Sequence, residues 1–359
     1  MLSWLLHGGK DGKVKSADAD AIDEAFQRLV DAAPARTIVR DPFPDLVTRA
    51  LPLPADDANR SVVREARRAL RRDWWVHSFS QLAREEATAP VDAVDEQGAE
   101  DEPPSLDAVE LVASPYVGAR FGNALHAALE NVDFARWRDW QGDLPPSGQE
   151  NALRDALGAN GYVGDDLAGG IRPLAALVRD TVNVRLPEGV RLADVAPADR
   201  RAEIEFHFAL GAVRVERLVE LLHRHDVMRD RDRFGLRERL EGLMTGRIDL
   251  VYSHAGRVHL VDYKSNRLAD YSHDGVARAV RDSEYDLQYV VYTLALHRWL
   301  RFRRADYDYD AHFGGVRYLF CRGLDPTRAD SPGVFATRPS REFIDALDTL
   351  LAPPREEAA

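Results

Sequence analysis

The stretch GRIDLVYSHAGRVHLVDYKSN, residues 246–266, has the pattern of two short strands joined by a tight turn. Side chains of a strand repeat every two residues, so Asp262 and Lys264 share one face of the second strand. A hairpin that turns near residues 253–256 would also bring Asp249 beside Asp262. The stretch therefore predicts two carboxylates and an ammonium group close together at one end of a hairpin.

This combination of residues suits hydrolysis of a phosphodiester around a divalent cation. An ammonium group beside the cation can orient a water molecule and stabilise charge that develops on phosphoryl oxygens. The main-chain carbonyl of Tyr263 is a further oxygen ligand for a hard cation such as Mg²⁺. The alternative interpretation is a strand that ends in solvated charges, with Lys264 paired to a neighbouring carboxylate.

Two helical patterns contribute further candidates. In GARFGNALHAALE, the glycines at 118 and 122 would let one helix face approach a neighbouring backbone closely, and His126 lies one turn further along that face. A lone helical histidine is otherwise a packed or solvent-facing residue. In the predicted helix 285–302, Gln288 and Tyr292 share a face, either at the edge of the core or at the rim of the metal site, touching Lys264 or a DNA backbone.

The strand AEIEFHFAL, residues 202–210, alternates strictly and carries Glu203 and Glu205 on one face. We interpret this pair as a solvated face, the common case for exposed strand residues, and a role near the active site is the alternative. Further expected elements are helices over 18–33 and 273–282, a helix that begins with Ser114 as its N-cap, and a final strand over 314–323.

Composition limits the classes of protein. The 359 residues are 45% hydrophobic and 30% charged with a net charge of −12, which is typical of a globular protein and argues against binding nucleic acid through bulk charge. The single cysteine excludes an intrachain disulfide and a cysteine-based zinc site. No apolar run is long enough to cross a membrane, and no Walker A sequence is present, so we expect no ATP site.

The chain is expected to contain four regions. Residues 1–84 form a helical N-terminal segment, and residues 85–112, which are acidic and poor in aromatics, form a disordered linker. Residues 113–353 form an α/β domain, and residues 354–359 form a tail.

The order of the motifs GARFGNALHAALE, AEIEFHF, LMTGRIDLVY, GRVHLVDYKSN and YDLQYVVYTLALHRWL resembles the C-terminal nuclease domain of the RecB family, over residues 112–340. WWVHSFSQL is similar to the segment before that domain, between helicase and nuclease. The resemblance implies an α/β restriction-endonuclease-like fold of the PD-(D/E)XK superfamily, with a mixed central sheet flanked by helices. It also implies a helicase upstream, so we expect this chain to be a C-terminal fragment, a split gene product or a truncated reading frame.

The resemblance also implies roles for residues. The catalytic residues would be Asp249, Asp262 and Lys264. The metal ligands would be two carboxylates, one imidazole and one main-chain carbonyl, namely Asp249, Asp262, His126 and Tyr263. Gln288 and Tyr292 would match the family's QxxxY motif and support the site. The cofactor would be one or two Mg²⁺ ions, with Mn²⁺ substituting and Ca²⁺ inhibiting.

The implied activity is that of an exodeoxyribonuclease V type nuclease, which cuts single-stranded DNA or linear duplex ends during double-strand break repair, recombination and degradation of linear DNA. The implied partners are DNA, RecC- and RecD-like subunits, a helicase and a RecA-like recombinase, in the bacterial cytoplasm at the nucleoid, with no membrane. Two alternatives stay open. One is a partner-docking and recombinase-loading module with little cutting of its own, and the other is a free-standing structure-specific endonuclease.

Overall fold

The computed structural model describes residues 19–34, 37–39, 75–78, 82, 115–234 and 237–353. The chain divides into two compact units, residues 1–69 and 70–359. In the first unit, helix α1 (Ala19–Ala32) confirms the helix expected over 18–33. The expected linker 85–112, the tail 354–359 and most of the expected N-terminal segment 1–84 lie outside the described residues.

The second unit contains a mixed β-sheet. Its described strands are β1 (Trp75–Ser78), β2 (Arg200–Arg214), β3 (Arg239–His254), β4 (Arg257–Lys264), β5 (Phe313–Phe320) and β6 (Val334–Thr337). The sheet order is β1-β3-β4-β5-β6, and β2 pairs with the other edge of β3. The β1–β3 and β4–β5 pairs are parallel and the others are antiparallel. This mixed sheet confirms the expected α/β class.

Helices pack on both faces of this sheet. In chain order they are α2 (Gly118–Asn131), α3 (Glu150–Ala159), α4 (Gly164–Asn183), α5 (Val215–Arg224), α6 (His273–Asp282), α7 (Tyr285–Arg303), α8 (Tyr309–His312) and α9 (Arg341–Leu350). A first core joins one sheet face to α5, α7 and α9 and includes Leu260 and Leu294. A second core joins the opposite face to α2, α3 and α4 and includes Leu125 and Val261. Because β4 is covered on both faces, residues 258–264 are all buried.

The turn of the β3–β4 hairpin consists of Ala255 and Gly256, between the paired residues His254 and Arg257. Both turn residues have positive φ, 48° and 78°, as in the type I′ turn that matches the twist of two-residue hairpins. The turn falls where the sequence predicts it. It sets the register that pairs Leu250 with Val261. Asp249 and Asp262 are the neighbours of this pair along the two strands.

Three expectations about elements are wrong. Helix α2 begins at Gly118, after the extended N-cap Val117, because Gly118 has φ of 76° and ends the preceding loop there. The expected strand 314–323 ends at Phe320 and is followed by a 3-10 turn. It is also not the last strand, because β6 pairs with it at the sheet edge.

Among the described residues, no helix is long and apolar enough to cross a membrane.

Candidate active site

A cluster of three potential metal ligands forms where α2, β2 and β3 meet. One ligand atom each from His126, Glu203 and Asp249 lies within 4.8 Å of the other two. His126 Nδ1 is 3.5 Å from Asp249 Oδ1. Two carboxylates and an imidazole suit a divalent cation, because the cation would neutralise two negative charges held close together. These residues therefore fit the kind of ion that the sequence implies.

An irregularity in both strands creates this cluster. The β2–β3 register pairs Ala202 with Leu250 and Ile204 with Ile248, so Glu203 lies opposite Asp249. Ile248 belongs to the first core and Leu250 to the second, although residues two apart on a regular strand share a face. The regular alternation of side chains is therefore interrupted at Glu203 and Asp249, and the residues on either side of them face opposite cores.

The backbone of Glu203 takes part in this change, with a φ of 50°. Positive φ in a residue other than glycine costs about 1–3 kcal/mol and concentrates at functional sites. Ile204 packs against the first core, whereas Arg200 lies over the ring of Phe134, which belongs to the second. Before this strained residue, the side chain of Arg200 faces the second core, and after it the side chain of Ile204 faces the first core.

The two carboxylates have opposite pKa shifts. Burial would raise the pKa of Asp249, but the His126 imidazole, the Tyr263 N–H and the Lys264 ammonium together lower it. The Tyr263 N–H donates to Asp249 Oδ2 at 2.7 Å. Burial raises the pKa of Glu203, and the neighbouring Asp249 charge adds to the shift while Arg247 opposes it. A bound cation would relieve this repulsion between the carboxylates.

A buried ion pair lies on one face of β4. Lys264 Nζ lies 2.8 Å from Asp262 Oδ2, and the two side chains are only 1% and 2% exposed. Lys264 also donates to Gln288 Oε1 on α7 at 3.0 Å. A buried ion pair needs such extra hydrogen bonds, because desolvation of two charges costs several kcal/mol.

Aromatic residues enclose this lysine. Its Nζ lies 4.0 Å from the ring centre of Tyr285 and 5.2 Å from that of Tyr318. The Tyr318 hydroxyl donates to Gln288 Oε1 at 2.9 Å, and Gln288 Nε2 donates to the Tyr292 hydroxyl at 3.3 Å. The ammonium is thus fixed in position by hydrogen bonds and by cation–π contacts.

A cleft connects the lysine to the histidine. It is a narrow depression between the N-terminal half of α2 and the end of β4. His126 and Lys264 both line it, together with Gly122, Asn266 and Tyr285. The cleft therefore brings His126 of α2 and Lys264 of β4 to one opening.

The structure brings some of the predicted site residues together and separates others. His126 lies with Asp249, and Gln288 and Tyr292 lie with Lys264. Asp262 contacts Lys264 and is absent from the three-ligand cluster found among the described residues. Tyr263 contacts that cluster through its N–H.

Glu203 is the residue that sequence reasoning underestimated. The sequence favours a solvated face over a role near the active site, but Glu203 lies within the cluster of potential ligands. The signal available in the sequence was a pair of glutamates on one face of a strand, which exposed strands commonly have. The positive φ that turns Glu203 towards Asp249 depends on strand pairing and is not encoded locally.

Comparison with known proteins agrees with this architecture. A model of the PD-(D/E)XK nuclease superfamily matches residues 105–350, and the chain belongs to that superfamily. This confirms the expected restriction-endonuclease-like core and gives the general class of the protein, a nuclease.

The chain is also similar to RecB proteins, which confirms the resemblance seen in the motifs. The RecBCD enzyme subunit RecB of Escherichia coli (strain K12) is 34% identical over 66% of this chain, and the match covers 19% of that protein. The subunit from Haemophilus influenzae is 35% identical over 64% of this chain and 18% of its own length. That of Mycolicibacterium smegmatis is 28% identical over 98% of this chain and 36% of its length. The chain thus spans well under half of these relatives.

Proposed function

We propose that this chain is a Mg²⁺-dependent deoxyribonuclease that hydrolyses phosphodiester bonds in linear DNA, either single-stranded or at duplex ends. The observation that carries the proposal is the cluster of His126, Glu203 and Asp249, whose ligand atoms lie within 4.8 Å of one another. His126 of this cluster lines the same cleft as Lys264. Superfamily membership supports the same reaction.

The metal ligands in this proposal are His126, Glu203 and Asp249. Asp262 and the main-chain carbonyl of Tyr263 remain predicted further ligands. When bound, a divalent cation supplies charge neutralisation and polarisation of the phosphoryl group. The hydrogen bond from the Tyr263 N–H to Asp249 Oδ2 restricts the orientation of that carboxylate, as outer contacts do at metal sites.

Lys264 is the proposed catalytic cation. Its ammonium orients the attacking water and stabilises the charge that develops on phosphoryl oxygens. Asp262 and Gln288 hold the ammonium at 2.8 and 3.0 Å, so little reorganisation is needed during the reaction. Gln288, Tyr292 and Tyr318 are positioning residues, because they act on the substrate through Lys264.

In the cell, we propose that the chain acts in double-strand break repair, recombination and degradation of linear DNA in the bacterial cytoplasm. The relatives are subunits of a RecBCD enzyme, so the proposed partners are RecC- and RecD-like subunits and a helicase that delivers DNA. A RecA-like recombinase is a further proposed partner.

The test combines metal binding with cleavage. Purified wild-type chain, Asp249→Asn and Lys264→Ala would be titrated with Mg²⁺ by calorimetry and incubated with end-labelled linear single-stranded DNA. Asp249→Asn should lose both metal binding and cleavage, whereas Lys264→Ala should lose cleavage and keep metal binding. Asp165→Asn, an exposed acid in the first turn of α4, is the control and should behave as wild type.

Chelation by EDTA should stop cleavage by the wild type, and added Mg²⁺ should restore it. A folded wild type that binds Mg²⁺ but cuts no DNA would contradict the proposal and favour the partner-docking module. Cleavage of circular single-stranded DNA at the same rate as linear DNA would favour the structure-specific endonuclease.

A further inference from the structure

Four charged residues occupy adjacent positions on the β2–β3 strand pair. Glu205 is the registered partner of Arg247, and Glu203 lies opposite Asp249, one step further towards the metal-ligand cluster. The Arg247 guanidinium contacts both glutamates. Its Nη1 donates to Glu203 Oε2 and its Nη2 donates to Glu205 Oε1, each at 3.1 Å.

The two contacts of Arg247 differ in their surroundings. The Arg247 side chain is 46% exposed and that of Glu205 is 61% exposed, so their pairing is a surface contact of small energy. Glu203 is only 19% exposed, and it lies between Arg247 on one side and His126 and Asp249 on the other. Glu203 is therefore shared between the exposed arginine and the proposed metal site.

A divalent cation bound by Glu203 would compete with Arg247 for the same carboxylate. The guanidinium would keep only its weak contact with Glu205 and would be repelled by the nearby cation. A planar, exposed guanidinium at the edge of a cutting site is suited to bidentate recognition of phosphate. The cluster itself is anionic, so a DNA strand approaching it requires positive charge close by.

We propose that Arg247 binds a backbone phosphate of the DNA strand next to the cleavage site, and that it becomes available when a divalent cation engages Glu203. Binding of the cation and binding of DNA are then coupled through one shared carboxylate. This inference rests on the proposed function, and it adds a DNA-anchoring residue and an order of events to it.

The coupling predicts opposite effects of one substitution on two ligands. Arg247→Ala removes a competitor for Glu203 and a nearby positive charge, so Mg²⁺ should bind about threefold more tightly in the absence of DNA. The same substitution removes a phosphate contact, so DNA should bind about three- to tenfold more weakly in the presence of cation. A purely structural role of Arg247 would weaken both.

The experiment uses the full chain and a fluorescently labelled single-stranded oligonucleotide. Anisotropy titrations would be run in EDTA and in Ca²⁺, with gel analysis to verify intact DNA, at several salt concentrations. The wild type should bind more tightly in Ca²⁺ than in EDTA. Arg247→Ala should lose most of this increase in DNA affinity. In Ca²⁺, its slope of log affinity against log salt should be shallower by the equivalent of about one phosphate contact.

Two further variants sharpen the result. Arg239→Ala removes the same charge from an exposed position at the start of β3, away from the cluster. It should keep the wild-type increase in DNA affinity in Ca²⁺ and the wild-type salt dependence. Glu205→Gln loosens Arg247, so it should raise DNA affinity in EDTA and narrow the difference between the two conditions.

The proposal is overturned if Arg247→Ala binds DNA more tightly in Ca²⁺ than in EDTA to the same extent as the wild type. It is also overturned if the substitution weakens Mg²⁺ binding together with DNA binding. If the wild type binds Mg²⁺ and cuts DNA while Arg247→Ala matches Arg239→Ala, only this inference fails. If the wild type binds no divalent cation, the proposed function fails with it.

Discussion

Gln288 offers the sharpest test of how the fold positions Lys264. Its side chain is fully buried, and Oε1 accepts hydrogen bonds from the Lys264 ammonium at 3.0 Å and the Tyr318 hydroxyl at 2.9 Å. Its Nε2 donates to the Tyr292 hydroxyl at 3.3 Å. Gln288→Ala removes all three contacts and leaves a buried ammonium with fewer acceptors.

The expected magnitude follows from these contacts. A hydrogen bond to a charged group contributes about 1.5–3 kcal/mol and a neutral one about 0.5–1.5 kcal/mol. Since the three share one side chain and are not additive, we expect the free energy of unfolding to fall by about 3–5 kcal/mol. The freed ammonium should also move from its working position, and such misplacement lowers cleavage by about 100-fold.

Gln149 provides a matched control. It is a buried glutamine beside the second core, where its Oε1 accepts from the Asp133 N–H at 2.8 Å and from Trp137 Nε1 at 3.3 Å. Gln149→Ala should lower the free energy of unfolding by about 1–3 kcal/mol, because its hydrogen bonds are neutral. Its cleavage rate, however, should stay within about twofold of the wild type, because it has no contact with Lys264.

Urea unfolding would give the stabilities, and cleavage of labelled single-stranded DNA at saturating Mg²⁺ would give the rates. A shift in the urea midpoint without a change in slope would show that only stability changed. If Gln288→Ala cuts DNA as fast as Gln149→Ala when both are folded, Gln288 does not position Lys264 and the reasoning is refuted.

Four further variants test the packing around the site. Lys264→Ala leaves the Asp262 carboxylate buried without its cation, so the free energy of unfolding should fall by about 3–5 kcal/mol. The Asp262→Ala/Lys264→Ala double variant should be less destabilised in the same urea titration, and equal losses would argue against the ion pair. Burial lowers the pKa of His259 from 6.5 to about 3, so protonation favours the unfolded chain and stability should decrease as the pH falls through that interval. His259→Phe should flatten this dependence between about pH 7 and 5, measured in EDTA, and an unchanged slope would contradict it. A Cβ at Gly246 would lie 2.5 Å from the Phe206 ring, so Gly246→Ala should cost about 1–3 kcal/mol, and wild-type thermal stability would mean that the ring shifts freely.

Much of the fold is encoded in local patterns. Alternation predicts that Asp262 and Lys264 share a face, and in the structure they form an ion pair. Helical periodicity predicts that Gln288 and Tyr292 share a face, and they are joined by a hydrogen bond. These patterns depend on backbone geometry over a few residues, so the sequence displays them directly.

The sequence does not predict strand β1, because four residues carry little periodic signal. It is held by parallel pairing of Trp75 with Gly242 and of His77 with Met244. That partner strand lies far along the chain, and the pairing depends on the assembled sheet.

The sequence by itself determined the hairpin, the acidic and basic residues at its end, and the superfamily to which they point. Only the tertiary structure decided which acid faces which partner. The strand pair changes faces at Glu203 and Asp249, so these two acids meet His126 while Asp262 turns towards Lys264. The physical reason is that side-chain alternation is a local property, whereas the strained backbone that interrupts it is maintained by pairing and packing between distant segments.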